Sequence, residues 1–187
     1  DLTKRINLDK ITGLYVPFWL VDADCSADLS GQGYQKASNG YMSYSLHRVV
    51  DFQMSRVPFD GAKHIDNLLM KALEPFDYSE LVRYNDMYLP GFYAERFDES
   101  FFDITDRIAM RIDNYACEIG DKLSASEYDV VNFGKTHAIS SNYKQLYALL
   151  PIWFIRYEYD GIFYTFAVNG QTGEAGGSLP FSEIKRK

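Results

Sequence analysis

Few residues in this chain can hold a metal or build a disulfide framework. Cys25 and Cys117 are its two cysteines in 187 residues, and they form no C-x-x-C pair. That spacing leaves no zinc site written in the segment. The two read as unpaired buried thiols in a reducing compartment, with a disulfide between them as the alternative. The three histidines, His47, His64 and His137, stand neither at i, i+4 from one another nor in an H-E-x-x-H context, so no metal ligand is expected among them. No cofactor is expected either. G-x-G-x-x-G, the full P-loop G-x-x-x-x-G-K-[ST] and the G-x-S-x-G nucleophile elbow are all missing; Gly134-Lys135-Thr136 has Asp129 where a P-loop needs its first glycine.

Positive charge is also scarce. Lys plus Arg is 19 against 26 Asp plus Glu, a formal net charge of −7. This argues against a broad phosphate-binding surface, and no nucleic acid is expected to bind through this domain. The one basic run is Lys185-Arg186-Lys187. No apolar run approaches the roughly 18 residues that span a bilayer, and no signal-peptide pattern opens the chain. A start at Asp1 without Met predicts a processed or excised segment.

Apolar and aromatic residues are plentiful. Hydrophobic types make up 47%, with 15 Tyr and 13 Phe, enough for one globular domain over residues 1–187. The pattern predicts an α+β fold, with antiparallel meanders at both ends of the chain and helices between them. "LYVPFWLVDA" (Leu14 to Ala23) reads as a strand, with Pro17 marking an edge or a bulge. "SGQGYQKASNG" reads as a loop, and Tyr41 to Val57 as one or two further strands. After Asp60, apolar residues at Ile65, Leu68, Leu69, Ala72 and Leu73 give a helical stripe, capped by Asp60 or Asp66 and ended by Pro75. Short helices are expected near Ser79 and near Asp86, with Pro90 in the first turn of the latter. The longest helix is expected from about Phe102 to Gly120, with Ile104, Ile108, Ile112, Tyr115 and Ile119 on one face.

The C-terminal third carries the clearest turn chemistry. Asp160-Gly161 between two alternating runs predicts a two-residue hairpin. It pairs Tyr159 with Ile162, Tyr157 with Tyr164, Ile155 with Phe166, and Trp153 with Val168. Asn169-Gly170 and Gly173 add turns; a phosphate loop would lead into a helix, and "EAGGSLP" starts none. "YVPFWLVDAD" and "LLPIWFIRYE" align Pro17 with Pro151 and Trp19 with Trp153. This suggests a duplicated strand-hairpin unit, with halves at 11–75 and 102–180.

Three groups could carry chemistry. A Cys–His dyad needs Cys25 or Cys117 beside a histidine in space. Asp22, Asp24 and Asp28 at even spacing project to one strand face, where they form a solvated row or bind a cation. Glu95, Asp98, Glu99, Asp103 and Asp106 read as charges at a helix N-terminus.

Four stretches carry a family resemblance: "GLYVPFWLVDAD", "VPFDGAKHIDNLLMKALEPFDYSEL", "YLPGFYAERFD" and "YALLPIWFIRYEYDGIFYTFAVNGQTGE". From about Ile11 to Pro180 the chain resembles the conserved domain of uncharacterised bacterial zinc-ribbon proteins, common in Firmicutes and sometimes labelled helicase-like or primosomal-protein-like. The resemblance implies zinc ribbons ahead of the domain and hydrophobic membrane segments behind it. This chain carries neither, so it looks like a soluble core. It implies no catalytic residues. The expected function is therefore a non-catalytic binding or scaffolding domain with a protein partner, cytoplasmic and tethered to a membrane elsewhere in the full protein. The alternative is a hydrolase-like enzyme with a site assembled from distant Cys, His and carboxylate residues. Trp19 and Trp153 are the first aromatics to inspect for contact.

Overall fold

From Val21 to Leu29 every odd-numbered residue is buried and every even-numbered one is not. That period of two is the mark of a strand with one covered face, and it governs most of the molecule. The computed structural model describes residues 6–89 and 91–177. Strand β1 runs Ile6–Ala37, β2 Gly40–Asp60, β3 Tyr93–Ala94, β4 Val130–Tyr159, β5 Ile162–Asn169 and β6 Ala175–Gly177. Helix α1 spans Asn67–Ala72 and α2 Thr105–Ser124. The strands form one open sheet in the order β2-β1-β4-β5-β6, with β3 pairing β1 in parallel.

The expected α+β balance is therefore wrong. Among the described residues the chain is predominantly β, with 55% strand and 22% helix in a mostly antiparallel sheet. The main cause is strand length, since β1 has 32 residues and β4 has 30. "SGQGYQKASNG" is no loop: it continues β1 to Ala37, and only Ser38 and Asn39 turn the chain into β2. Its glycines mark close contact instead. A Cβ on Gly31 would stand 2.0 Å from the Asn132 carbonyl oxygen, and one on Gly33 would meet the Tyr128 ring at 2.5 Å.

Contacts within the chain group into two compact units. Unit 1 gathers residues up to Trp19, Asp60–Ser100 and those from Tyr147 onward. Its core includes Val16, Phe18, Met70, Leu73, Phe76, Leu150 and Ile152. Burying each of the larger side chains stabilises the fold by roughly 1.5–3 kcal/mol before entropy is counted. Asp66, not Asp60, caps α1, accepting from Leu68 N at 2.8 Å. The segments near Ser79 and Asp86 form only short 3₁₀ turns, Tyr78–Glu80 and Asp86–Tyr88; Pro90 lies outside the described residues.

The β4–β5 hairpin has the register its alternation predicts, from Tyr159↔Ile162 to Trp153↔Val168. Asp160 (φ 48°) and Gly161 (φ 80°) make the primed turn that fits the twist of the strands. The carbonyls of the two aligned prolines each accept a hydrogen bond from a glycine. Gly61 N donates to Pro17 O at 2.8 Å, and Gly170 N donates to Pro151 O at 2.8 Å. The residue before each glycine, Asp60 or Asn169, is buried. Residues 178–180 of the second expected half lie outside the described residues.

Unit 2 comprises Leu20–Phe59 and Phe101–Leu146. Its helix α2 begins three residues later than the pattern suggests, because Phe101–Ile104 is a 3₁₀ turn. Ile104, Ile108, Ile112, Ala116, Gly120 and Ser124 are buried, one every four residues. Tyr115 and Ile119 are only half-buried beside that row. Gly120 lets the helix approach the sheet, since a Cβ there would stand 2.6 Å from Leu29 Cδ1 and 2.7 Å from Phe133 Cε2.

Candidate functional site

The first candidate is an aromatic face of unit 1. Tyr15 and Trp19 lie four residues apart on β1 and so share a face. A strap, residues 91–99, is laid beside them by backbone bonds. Glu95 N donates to Tyr15 O at 2.9 Å, and Asp98 N and Glu99 N both donate to Gly61 O at 3.1 Å. Lys63 N donates to Asp98 Oδ1 at 2.8 Å. With its backbone satisfied in this way, the strap can present its rings.

Those rings pack mostly edge to face. Trp19, Phe97 and Tyr147 are mutual neighbours, with centroids 5.5, 5.6 and 5.3 Å apart. Phe92 sits 4.9 Å from Tyr15 and 4.8 Å from Trp153. Trp19 is half-buried, and its Nε1 donates to Glu99 O at 3.0 Å. Phe97, Tyr147 and Trp153 remain 41%, 43% and 38% exposed. Burial of its flank pushes the Tyr147 hydroxyl above the usual tyrosine range. Half-exposed aromatic rings held in a fixed array supply contact area at low entropic cost.

The second candidate is the uncovered polar face of unit 2. It holds two adjoining grooves of about 450 and 520 Å³ that share Asp24 and Gln53. Asp24 accepts from Gln53 Nε2 and Asn142 Nδ2, both at 2.7 Å. These two bonds, Asn142 first, hold its carboxyl below the usual range. Asp22 Oδ1 accepts from Arg56 N at 2.7 Å, and Asp28 Oδ1 lies 2.7 Å from His47 Nε2. Arg56 (φ 49°) and Asn142 (φ 53°) are left-handed, and each sends a donor to a carboxylate of β1. The row of aspartates predicted from even spacing is real, and neighbouring strands satisfy it.

The other sequence candidates are dispersed. Cys25 is buried, with its Sγ 3.9 Å from Ala23 O, and burial followed by the Asp24 charge pushes its thiol up, away from thiolate reactivity. Cys117 is half-buried, 3.5 Å from Thr136 Oγ1. His64 Nε2 is 3.8 Å from Asp98 Oδ2, and His137 lies exposed on β4. Among the described residues neither cysteine hydrogen-bonds a histidine. Glu95, Asp98 and Glu99 belong to the strap and not to a helix start; only Asp106 lies in the first turn of α2, while Asp103 sits in the preceding 3₁₀ turn. Phe92, Phe97 and Tyr147 were not legible as site residues. Their signal was the clustering of aromatics around Gly91, which marks a strap only once β1 is seen beside it.

Among the described residues no group of three or more His, Cys, Asp or Glu side chains is placed to hold a metal ion. Nor is any helix among them long and apolar enough to cross a membrane. No family model matches this chain, and no solved structure does. The uncharacterised protein YdjG of Bacillus subtilis (strain 168) is 30% identical over 191 residues, covering 96% of this chain. The chain spans 54% of that relative's length, and so is similar to about half of it.

Proposed function

We propose that this chain is a non-catalytic recognition or scaffolding domain whose contact surface is the aromatic face of unit 1. The observation that carries the reading is the array of Phe97, Tyr147 and Trp153, each about two-fifths exposed while packed edge-on against a neighbouring ring. A ring array used only as core would be covered; this one keeps rigid aromatic edges in solvent, as contact surfaces do. In the parent protein the domain sits beside zinc ribbons and a membrane tether, as the family resemblance implies, and faces the cytoplasm. The basic run at Lys185 to Lys187, which fits the positive-inside rule, lies outside the described residues.

Photo-crosslinking tests this. A photoreactive phenylalanine at Trp153 or Phe97 is expected to capture one protein in the host, and Tyr147→Glu to abolish that capture without unfolding the chain. The same probe at Ile139, 62% exposed on unit 2, is the control. Equal capture at Ile139, or none at Trp153 and Phe97, rules the surface out. Turnover in a hydrolase screen that Cys25→Ala, Cys117→Ala or a histidine substitution abolishes in a folded variant would replace this reading with an enzyme.

A further inference from the structure

The sheet order leaves β2 at one end, so among the described residues no strand bonds its outer edge. That edge is unusually long. Gly40–Asp60 is 21 residues, where strands commonly run about 5–6. Natural proteins blunt such edges with Lys, Pro or bulges. From Gly40 to Ser55 there is no Lys, no Pro and no left-handed residue after Gly40; the left-handed Arg56 and Pro58 come only beyond it. Tyr41, Met42 and Val49 on this stretch are 62%, 55% and 60% exposed.

The two-residue turn at Ser38 and Asn39 makes Ala37 and Gly40 the closing pair, so even-numbered residues of β2 bond β1. Odd-numbered residues then point their N–H and C=O groups to the free edge. Their side chains form the uncovered row His47, Val49, Asp51 and Gln53, none of them buried, while Leu46, Val50 and Met54 are buried. Because opposed residues share a face, a second copy pairing antiparallel through this edge places its two-fold axis on a single residue; an axis on an even-numbered one, such as Val50, leaves His47 facing Gln53 and Val49 facing Asp51. On Asp51, the axis sets like charges opposite each other. On His47, it sets two histidines opposite each other and leaves Asp51 facing Ser43. On Val49, it pairs Val49 with Val49, and sets each His47 imidazole opposite the other copy's Asp51 carboxylate. A ring N–H donor across from a carboxylate acceptor stabilises a strand pair, and like charges destabilise it.

We infer that β2 is a self-association edge, and that the partner is a second copy of this chain joined antiparallel about Val49. The interface is isologous, so it closes at a dimer and does not propagate into fibres.

The test is sedimentation of a concentration series by analytical ultracentrifugation. The unmodified chain is expected to show a monomer–dimer equilibrium. Val49→Pro removes a donor from the free edge only, and Val49→Lys places two charges at the axis; each is expected to weaken dimerisation by about tenfold or more. If Val49→Pro misfolds by circular dichroism, Val49→Lys, on an exposed side chain, carries the test alone. The register has its own check. His47→Glu and Asp51→Lys are each expected to weaken the homodimer. A mixture of the two variants is expected to form a heterodimer, the new carboxylate of one copy facing the new ammonium of the other. A chain monomeric at every concentration, a dimer indifferent to both Val49 variants, or a mixture no tighter than its components overturns the inference.

Discussion

The two units solve the problem of a buried polar group in opposite ways. In unit 1, Asn169 is 1% exposed and fully engaged. Its Nδ2 donates to Leu73 O at 2.9 Å and Pro75 O at 3.0 Å, and its Oδ1 accepts from Gln171 N at 2.9 Å and Thr172 N at 3.2 Å. One amide thereby pins the segment after α1 to the end of β5. In unit 2, Ser124 is 0% exposed and its Oγ has no hydrogen-bond partner among the described residues. Where α2 meets the sheet the contact is close and apolar, with glycine at the nearest approach. The comparison teaches that a buried polar side chain between irregular segments is pinned by directional bonds, whereas one on a helix face packs without them.

The comparison breaks most sharply at Asn169. Asn169→Ala orphans two carbonyls and two amides, and should destabilise the chain by about 3 kcal/mol in denaturant unfolding, since each buried unmade bond is expensive. Loss below about 1 kcal/mol would mean that water replaces the amide freely. Gly120→Val asks the matching question of unit 2. Its methyls enter space held by Leu29 and Phe133, and overpacking of that kind costs about 1–3 kcal/mol. Ser124→Ala should move the other way: with no bond to lose and a desolvated hydroxyl removed, stability should rise by roughly 0.5–1 kcal/mol. A fall would reveal a partner for its Oγ.

The smallest effect is electrostatic. The carboxyl of Asp24 is held below its ordinary value of 3.8. A group with a lowered folded-state pKa contributes stability that is present above the unfolded value and is lost as pH falls through the folded one. Asp24→Asn should therefore flatten the acid limb of the melting curve below about pH 4 and change little at neutrality. An unchanged acid limb would show that the Gln53 and Asn142 bonds add nothing in solution.

Local features were legible in the sequence wherever chemistry and period agreed. Asp160-Gly161 and its flanking alternation specified the hairpin down to individual pairs, and the i, i+4 isoleucines specified α2. The strand lengths were hidden. Gly31, Gly33 and the Ser-Asn stretches resemble loops, yet the two glycines sit in a strand because a neighbouring backbone or ring fills the space a side chain would take. In β2 the even-numbered buried positions Leu46, Val50 and Met54 give way, past left-handed Arg56, to a continuous buried run from Val57 to Asp60, so β2 does not read as a single period. The aromatic face was hidden for a different reason. Tyr15, Phe92 and Trp153 come from three separate segments, and no local pattern brings them together.

The central claim, that the aromatic face of unit 1 is covered by a partner in the cell, is tested most directly by oxidative footprinting. The readout is side-chain oxidation of the protein inside its host against the purified chain. The account predicts that Phe97, Tyr147 and Trp153 are protected in the cell, while Met110, 66% exposed on α2, is oxidised equally in both. Equal oxidation of the three rings in cell and tube would contradict it.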